Sequence, residues 1–187
     1  MKRCAWVTDD QIYIDYHDHE WGRPTYDDRK LFEMLSLEGA QAGLSWITIL
    51  KRRNNYREAF CDFDPLKVSQ FTESDIQALL QNKGIIRNQR KIRSVVKNAG
   101  HFIEVQQEYG SFSNYIWQFV DGKPIQNEWS THDEVPDYTA ESKEMSKALK
   151  KRGFSFVGPT ILYAFMQATG MVNDHTKDCF LAVKKKG

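Results

Sequence analysis

This sequence predicts an all-α fold, on three observations. Apolar residues recur at helical spacing in successive runs, helix start and stop signals bracket those runs, and no convincing set of alternating strands is present. From Asp27, a reasonable N-cap, Leu31, Phe32, Leu35, Leu37 and Ala42 recur near helical spacing, with Gly39 and Gly43 leaving the end of the helix open. The run Ser45 to Phe60 places Trp46, Ile49, Leu50 and Tyr56 near one face and a basic cluster opposite, which predicts one amphipathic helix. Asp64-Pro65 starts a short helix, and Thr72 with Asp75 reads as a capping box for another through Leu80, with Gly84 beyond it. A long helix over about Asn88 to Tyr109 carries the stripe Ile92, Val95, Val96, Ala99, Phe102 and Ile103. Phe112 to Val120 is a shorter aromatic helix closed by Asp121-Gly122-Lys123-Pro124, and residues 125–140 lack periodicity and read as a loop. Ser142 is the expected cap of a helix stopped by Gly153, and a last helix covers about Pro159 to Thr169 before Gly170.

The chain has 187 residues, enough for one domain or two small lobes sharing a core. Its 26 Lys and Arg against 25 Asp and Glu give a net charge of +1, which excludes a uniform polycation but not a segregated one. Three stretches are basic and acid-free: that between Asp75 and Glu104, with six Lys and Arg from Lys83 to Lys97; Leu44 to Arg57; and Met145 to Asn173, with Lys147, Lys150, Lys151 and Arg152. Acids collect instead between Asp121 and Glu141. One such run is ordinarily a solvated helix face, whereas three favour a polyanion surface. No apolar run approaches the ~18 residues of a membrane span, and nothing after Met1-Lys2-Arg3 reads as a targeting signal. Three cysteines, Cys4, Cys61 and Cys179, are too few for a disulfide framework, so the expected compartment is the cytoplasm.

Two patterns carry chemistry. Cys4 with His17 and His175 with Cys179 form two N/S pairs, the second spaced for one turn of helix. Four such ligands suit a closed, structural zinc, and the same residues also fit two buried thiols and two hydrogen-bonded histidines. The segment Leu149 to Thr160, helix, Gly-containing hairpin and helix, leaves N–H groups free at the second helix start, where a phosphate would bind. By spacing alone it fits an ordinary αα-corner as well, although Lys150-Lys151-Arg152 beside it favours phosphate contact.

The stretches Tyr16-His17-Asp18-His19-Glu20-Trp21-Gly22, Leu37 to Trp46, Gly84-Ile85-Ile86-Arg87, Leu149 to Gly158 and Val172-Asn173-Asp174-His175 resemble, in order, those of the DNA-3-methyladenine glycosylase I family. The resemblance spans nearly all the chain. It implies a helical bundle of the helix-hairpin-helix glycosylase superfamily, acting as a monomer on double-stranded DNA with alkylated bases and releasing 3-methyladenine. It further implies a structural zinc, one per chain, held by Cys4, His17, His175 and Cys179 and tying the termini together. Glu38 is implied to hydrogen-bond the extruded base and Trp46 to stack on it, with Tyr16 and Trp21 lining the pocket and Trp6 close by. Glu38 and Tyr16 are the expected catalytic pair, and Trp46, Trp21, Trp6 and Tyr13 the expected base-binding faces. Taken singly, Trp21 and Tyr13 read equally well as core side chains. Gly43 and Leu44 are candidates to enter the duplex, and Val157, Gly158, Thr160 and Lys151 to meet its backbone.

Two departures matter. Thr160 stands where superfamily relatives carry a Lys nucleophile, which implies a monofunctional enzyme without Schiff-base chemistry. Asn173 stands where they carry a catalytic Asp. A base alkylated at N3 is cationic and already a good leaving group, so little protonation help is needed. A damage sensor that releases nothing, and a zinc-stapled interaction domain, are the competing readings.

Overall fold

The computed structural model describes residues 1–182, and its backbone is dominated by ten α-helices among them. Helix α1, Gln11–His19, has no apolar periodicity to announce it; Asp10 caps it by accepting from the Ile12 N–H. Helix α2, Asp28–Gln41, is the buried axis, with every side chain from Leu31 to Ala40 inside, and Asp27 is its cap as expected. It runs straight through Gly39, where a Cβ would stand 3.3 Å from the Cβ of Phe156.

The single helix expected over Ser45 to Phe60 is in fact two, α3 (Trp46–Leu50) and α4 (Arg53–Ala59). The break has an electrostatic companion. Arg53 is buried, not on a solvated face: its Nη1 and Nη2 donate to both oxygens of Glu20 at 2.8 and 2.7 Å, and its Nε to Glu33 at 2.7 Å. Helices α5 (Pro65–Ser69) and α6 (Glu73–Gln81) begin at Asp64 and at the Thr72/Asp75 capping box. Helix α7, Gln89–Tyr109, starts at Asn88 and stops at Gly110 (φ +83). Helix α8, Phe112–Ile116, tightens into a 3₁₀ turn over Trp117–Val120.

Residues 125–140 are not wholly irregular. Ile125–Gln126 (β1) pairs in parallel with Val172–Asn173 (β2), and a 3₁₀ turn follows at His132–Glu134. Helix α9, Ala140–Lys151, is capped by Thr139 and not by Ser142, which is instead the returning member of that capping box. Helix α10, Pro159–Ala168, ends before Gly170, whose φ of +69 and close approach to Arg23 and Pro24 leave no room for a Cβ (2.2 Å to backbone). Phe32, Phe102, Phe112, Leu149 and Phe165 belong to the hydrophobic cluster shared by α2, α7, α8, α9 and α10. No helix among the described residues is long and apolar enough to cross a membrane.

Candidate active site and metal centre

A cavity of about 290 Å³ opens against the C-terminal half of α2. That is close to the ~300 Å³ lower bound of ligand pockets, a size for one small planar molecule. Trp6, Tyr13, Tyr16, Trp21, Glu38 and Trp46 line it together, so all six expected pocket residues converge. Helix α1 brings Tyr13 and Tyr16, α2 brings Glu38 and the start of α3 brings Trp46. The rings brace one another: Trp6 meets Tyr13 edge-on at 5.3 Å and Trp21 at 5.1 Å, and Tyr16 lies 5.5 Å from Trp46. The indole N–H groups of Trp6 and Trp46 are buried without an acceptor.

Glu38 is 4 % exposed, and burial pushes its carboxyl up to about 8 with no neighbouring cation to oppose the shift. A buried carboxylate is costly unless paired, so the pocket is built for a cation or a donor edge. Burial, and then the charges of Glu38 and Glu20, hold the Tyr16 phenol well above its ordinary range, so it is a neutral donor. Gln41, His132, Ala164 and Gln167 also line the cavity, and sequence reasoning did not find them. Gln41 stands three residues after Glu38 on the same face of α2, which was a usable signal. Nothing local marked His132, an exposed side chain on a long loop. A larger cleft of about 560 Å³ shares Tyr16, but its lining charges Glu20, Lys30 and Arg53 are paired with one another and its Lys51 is paired with Asp10 outside the lining.

Beyond α2 the chain turns at Gly43 (φ +78), where a Cβ would meet nothing within 4 Å, and Leu44 is 38 % exposed. The hairpin between α9 and α10 is fixed by Asn98, which donates to the Ser155 carbonyl and accepts from the Ser155 N–H, both at 2.9 Å. Helix α10 begins at Gly158 without a side-chain cap, and Thr160 and Lys151 are exposed beside it. Val157 is a core side chain, 1 % exposed, and its carbonyl accepts from Ser146 at 2.7 Å, so toward a ligand it has only its N–H to offer. The basic runs are partly consumed internally. Arg152 pairs with both oxygens of Glu108 and covers the Tyr115 ring, and Arg93 pairs with Glu73.

Asn173 lies in β2 and accepts from the His175 N–H. Its neighbour Asp174 does not replace the missing acid, because four donors saturate its carboxylate: Asn127, Trp129, Tyr163 and Gln167, at 2.6 to 2.8 Å.

Cys4, His17, His175 and Cys179 are all buried, with ligand atoms within 4.8 Å of one another. Cys4 Sγ lies 3.5 Å from His175 Nδ1, and Cys179 Sγ 3.5 Å from both His175 Nδ1 and His17 Nε2. Cys179 reaches this position through a turn, its N–H on the Thr176 carbonyl at 2.8 Å, and not along a helix. The outer nitrogens are held as metal-bound imidazoles are: His17 Nδ1 on Asp18 at 2.7 Å and His175 Nε2 on the Trp21 carbonyl at 3.3 Å. Asp18 is itself held by Arg3. Burial pushes the Cys4 thiol up to about 12 and the His175 imidazole down to about 4, so Cys4 keeps its proton until a cation displaces it and His175 offers a neutral nitrogen. These four residues could hold a metal ion.

An aromatic pocket around one buried carboxylate, beside a hairpin whose second helix starts uncapped, sits in an all-α bundle, as the resemblance to helix-hairpin-helix DNA glycosylases implies. Residues 6–182 match the methyladenine glycosylase family, and the chain belongs to it. It is 54 % identical over 177 residues to DNA-3-methyladenine glycosylase of Haemophilus influenzae, covering 95 % of this chain and 96 % of that one. With Escherichia coli DNA-3-methyladenine glycosylase 1 it shares 51 % identity over 179 residues, 96 % of each chain. A crystal structure of 3-methyladenine DNA glycosylase I superposes with a TM-score of 0.95 at 52 % identity, covering 97 % of this chain and all of that one.

Proposed function

We propose that this protein hydrolyses the N-glycosidic bond of 3-methyladenine in alkylated double-stranded DNA, the first step of base excision repair. The observation that carries the reading is Glu38, a carboxylate buried without a cation inside a ring of Trp and Tyr faces. An N3-alkylated base extruded from the duplex supplies the missing positive charge. Stacking on Trp46, with Trp6, Tyr13 and Trp21 around it, adds ~0.5–2 kcal/mol of cation–π attraction. Glu38 accepts from the base edge and the Tyr16 phenol donates. Leu44 enters the space the base vacates, Gly43 allowing the turn. As the C1′–N bond breaks, its electron pair goes to the base, which leaves neutral, and water adds to the cationic C1′ and gives up one proton to solvent to leave the hydroxyl. The first-turn N–H groups after Gly158, with Val157 N–H, Thr160 and Lys151, meet phosphate. No lysine stands at Thr160, which supports hydrolysis without a Schiff base.

Zinc suits the four-residue cluster. Tetrahedral bonds of ~2.3 Å to sulfur and ~2.05 Å to nitrogen place S and N about 3.55 Å apart, against 3.5 Å here. Such an ion would be closed to substrate and would cross-link the two ends of a single domain. The protein is expected to act as a monomer in the cytoplasm.

The test is incubation with methylated duplex DNA and identification of the released base. Free 3-methyladenine supports the reading. Salt-dependent binding with no released base would make the protein a damage sensor, and no DNA affinity would leave an interaction domain.

A further inference from the structure

The end of α2 joins two parts of the site within one turn. Glu38 and Gln41 face the cavity, and Gly43 and Leu44 lie outside it. The turn is closed on itself by the Leu44 N–H on the Gln41 carbonyl at 2.7 Å and by Gln41 Nε2 on the Leu44 carbonyl at 3.2 Å. Among the described residues, one side chain from another element donates to it. Lys91, on the first turn of α7, places its Nζ 2.9 Å from the Ala40 carbonyl and 2.5 Å from the Ala42 carbonyl, the two that flank Gln41.

These are orphan acceptors at a helix C-terminus, where a cation is favoured. Lys91 differs in this from its neighbour Arg93, which turns to Glu73. The body of α2 does not depend on Lys91, because Asp27 caps its start and its side chains are buried from Leu31 to Ala40. Past Ala40 that burial ends.

We propose that Lys91 is a positioning residue for excision, one that sets the distance between the carboxylate receiving the base and the Leu44 wedge replacing it. The inference rests on the glycosylase reading above. It distinguishes Lys91 from the rest of the α7 basic run, which could act only through the DNA backbone. Lys91→Met keeps the length of the stem and removes the charge and donors.

The experiment is single-turnover release of 3-methyladenine from methylated duplex DNA, with binding to undamaged duplex and a thermal melt measured on the same samples. Loss of positioning costs on the order of 10–100-fold in rate, with the affinity for undamaged DNA and its salt dependence unchanged. In a Leu44→Ala background the further cost of Lys91→Met should be much smaller, since the two act as a unit. Lys91→Gln serves for the same measurements should the Met variant fail to fold.

A salt slope lowered by about 0.9 with a matching loss of affinity would make Lys91 a phosphate contact and overturn the inference. So would an effect that multiplies fully with Leu44→Ala, or a parental rate in a folded variant. A parent protein that releases no base overturns the glycosylase reading itself, and is read separately from all of these.

Discussion

Replacing Glu38 by Gln keeps the shape of the pocket and removes the only carboxylate among its lining residues. With the carboxyl at about 8, ionising it at pH 7 costs about 1.4 kcal/mol. A cationic base about 4 Å away returns ~4 kcal/mol at an effective dielectric of 20. The net attraction is then about 2.6 kcal/mol. Gln recovers about 1 kcal/mol of it through a neutral hydrogen bond. Glu38→Gln should therefore slow single-turnover excision about 10- to 100-fold while leaving affinity for undamaged duplex unchanged. Equal excision by variant and parent would remove Glu38 from the mechanism.

The same carboxyl has a stability signature with a definite sign. Its value is 4.5 in the unfolded chain and about 8 in the fold. Below 4.5 both states hold the proton and nothing is lost. Between 4.5 and 8 the unfolded chain releases the proton while the folded one keeps it. The parent therefore loses stability as pH rises, about 4–5 kcal/mol by pH 8. Urea unfolding should show Glu38→Gln close to the parent at pH 4 and more stable than it at pH 8. Excision by the parent should gain rate on an acid limb whose midpoint lies below 8, since a cationic base lowers the carboxyl, and the Gln variant should lack that limb. Parallel stability curves would show that Glu38 does not carry the burial cost assigned to it.

Protein purified without added metal should carry about one equivalent of zinc, measured by elemental analysis; a Cys4→Ser/Cys179→Ser variant should carry almost none and melt at a lower temperature, and full occupancy in that variant would refute these ligands. Arg53→Met removes the most buried cation on Glu20 and Glu33, while Lys30 and Arg57 stay beside them, so urea unfolding at pH 7 should show a loss of about 1–3 kcal/mol, narrowing toward acid pH as the two carboxylates protonate.

Elements with local signals were legible: the cap at Asp27, the Asp64-Pro65 start and the Thr72/Asp75 box all act as the residue types predict, and the long helix expected from about Asn88 starts one residue later with Asn88 as its cap. What escaped depended on distant partners. Helix α1 mixes buried Tyr16 and His17 with exposed Asp15 and His19 in no clear period, because its faces answer to a pocket and a metal cluster as well as a core. The β1–β2 pair is two residues long and joins positions 125 and 172. The break after Leu50 follows Arg53, whose burial requires Glu20 and Glu33, and neither is near in sequence. At the site, the aromatic faces and Glu38 came from the family resemblance, whereas Ala164 and Gln167 come from one face of α10 and carry no chemical mark of their own.

On the proposed reading, the pocket draws its selectivity from having no free carboxylate besides Glu38 among its lining residues. Asp174 sits one residue from the position where superfamily relatives place a catalytic acid, but four donors, among them the pocket residue Gln167, leave it no lone pair for a substrate or a water. On the proposed reading, a neutral base would find as acid only the weak Glu38 carboxyl, at about 8, and would bring no charge for Glu38 to ionise against, so its glycosidic bond would break far more slowly. A base alkylated at N3 brings its own charge, which both draws it onto Glu38 and makes it a leaving group. The proposed mechanism thus takes from the lesion the chemistry that a stronger active site would supply to every base, and it spares undamaged bases through what the pocket lacks.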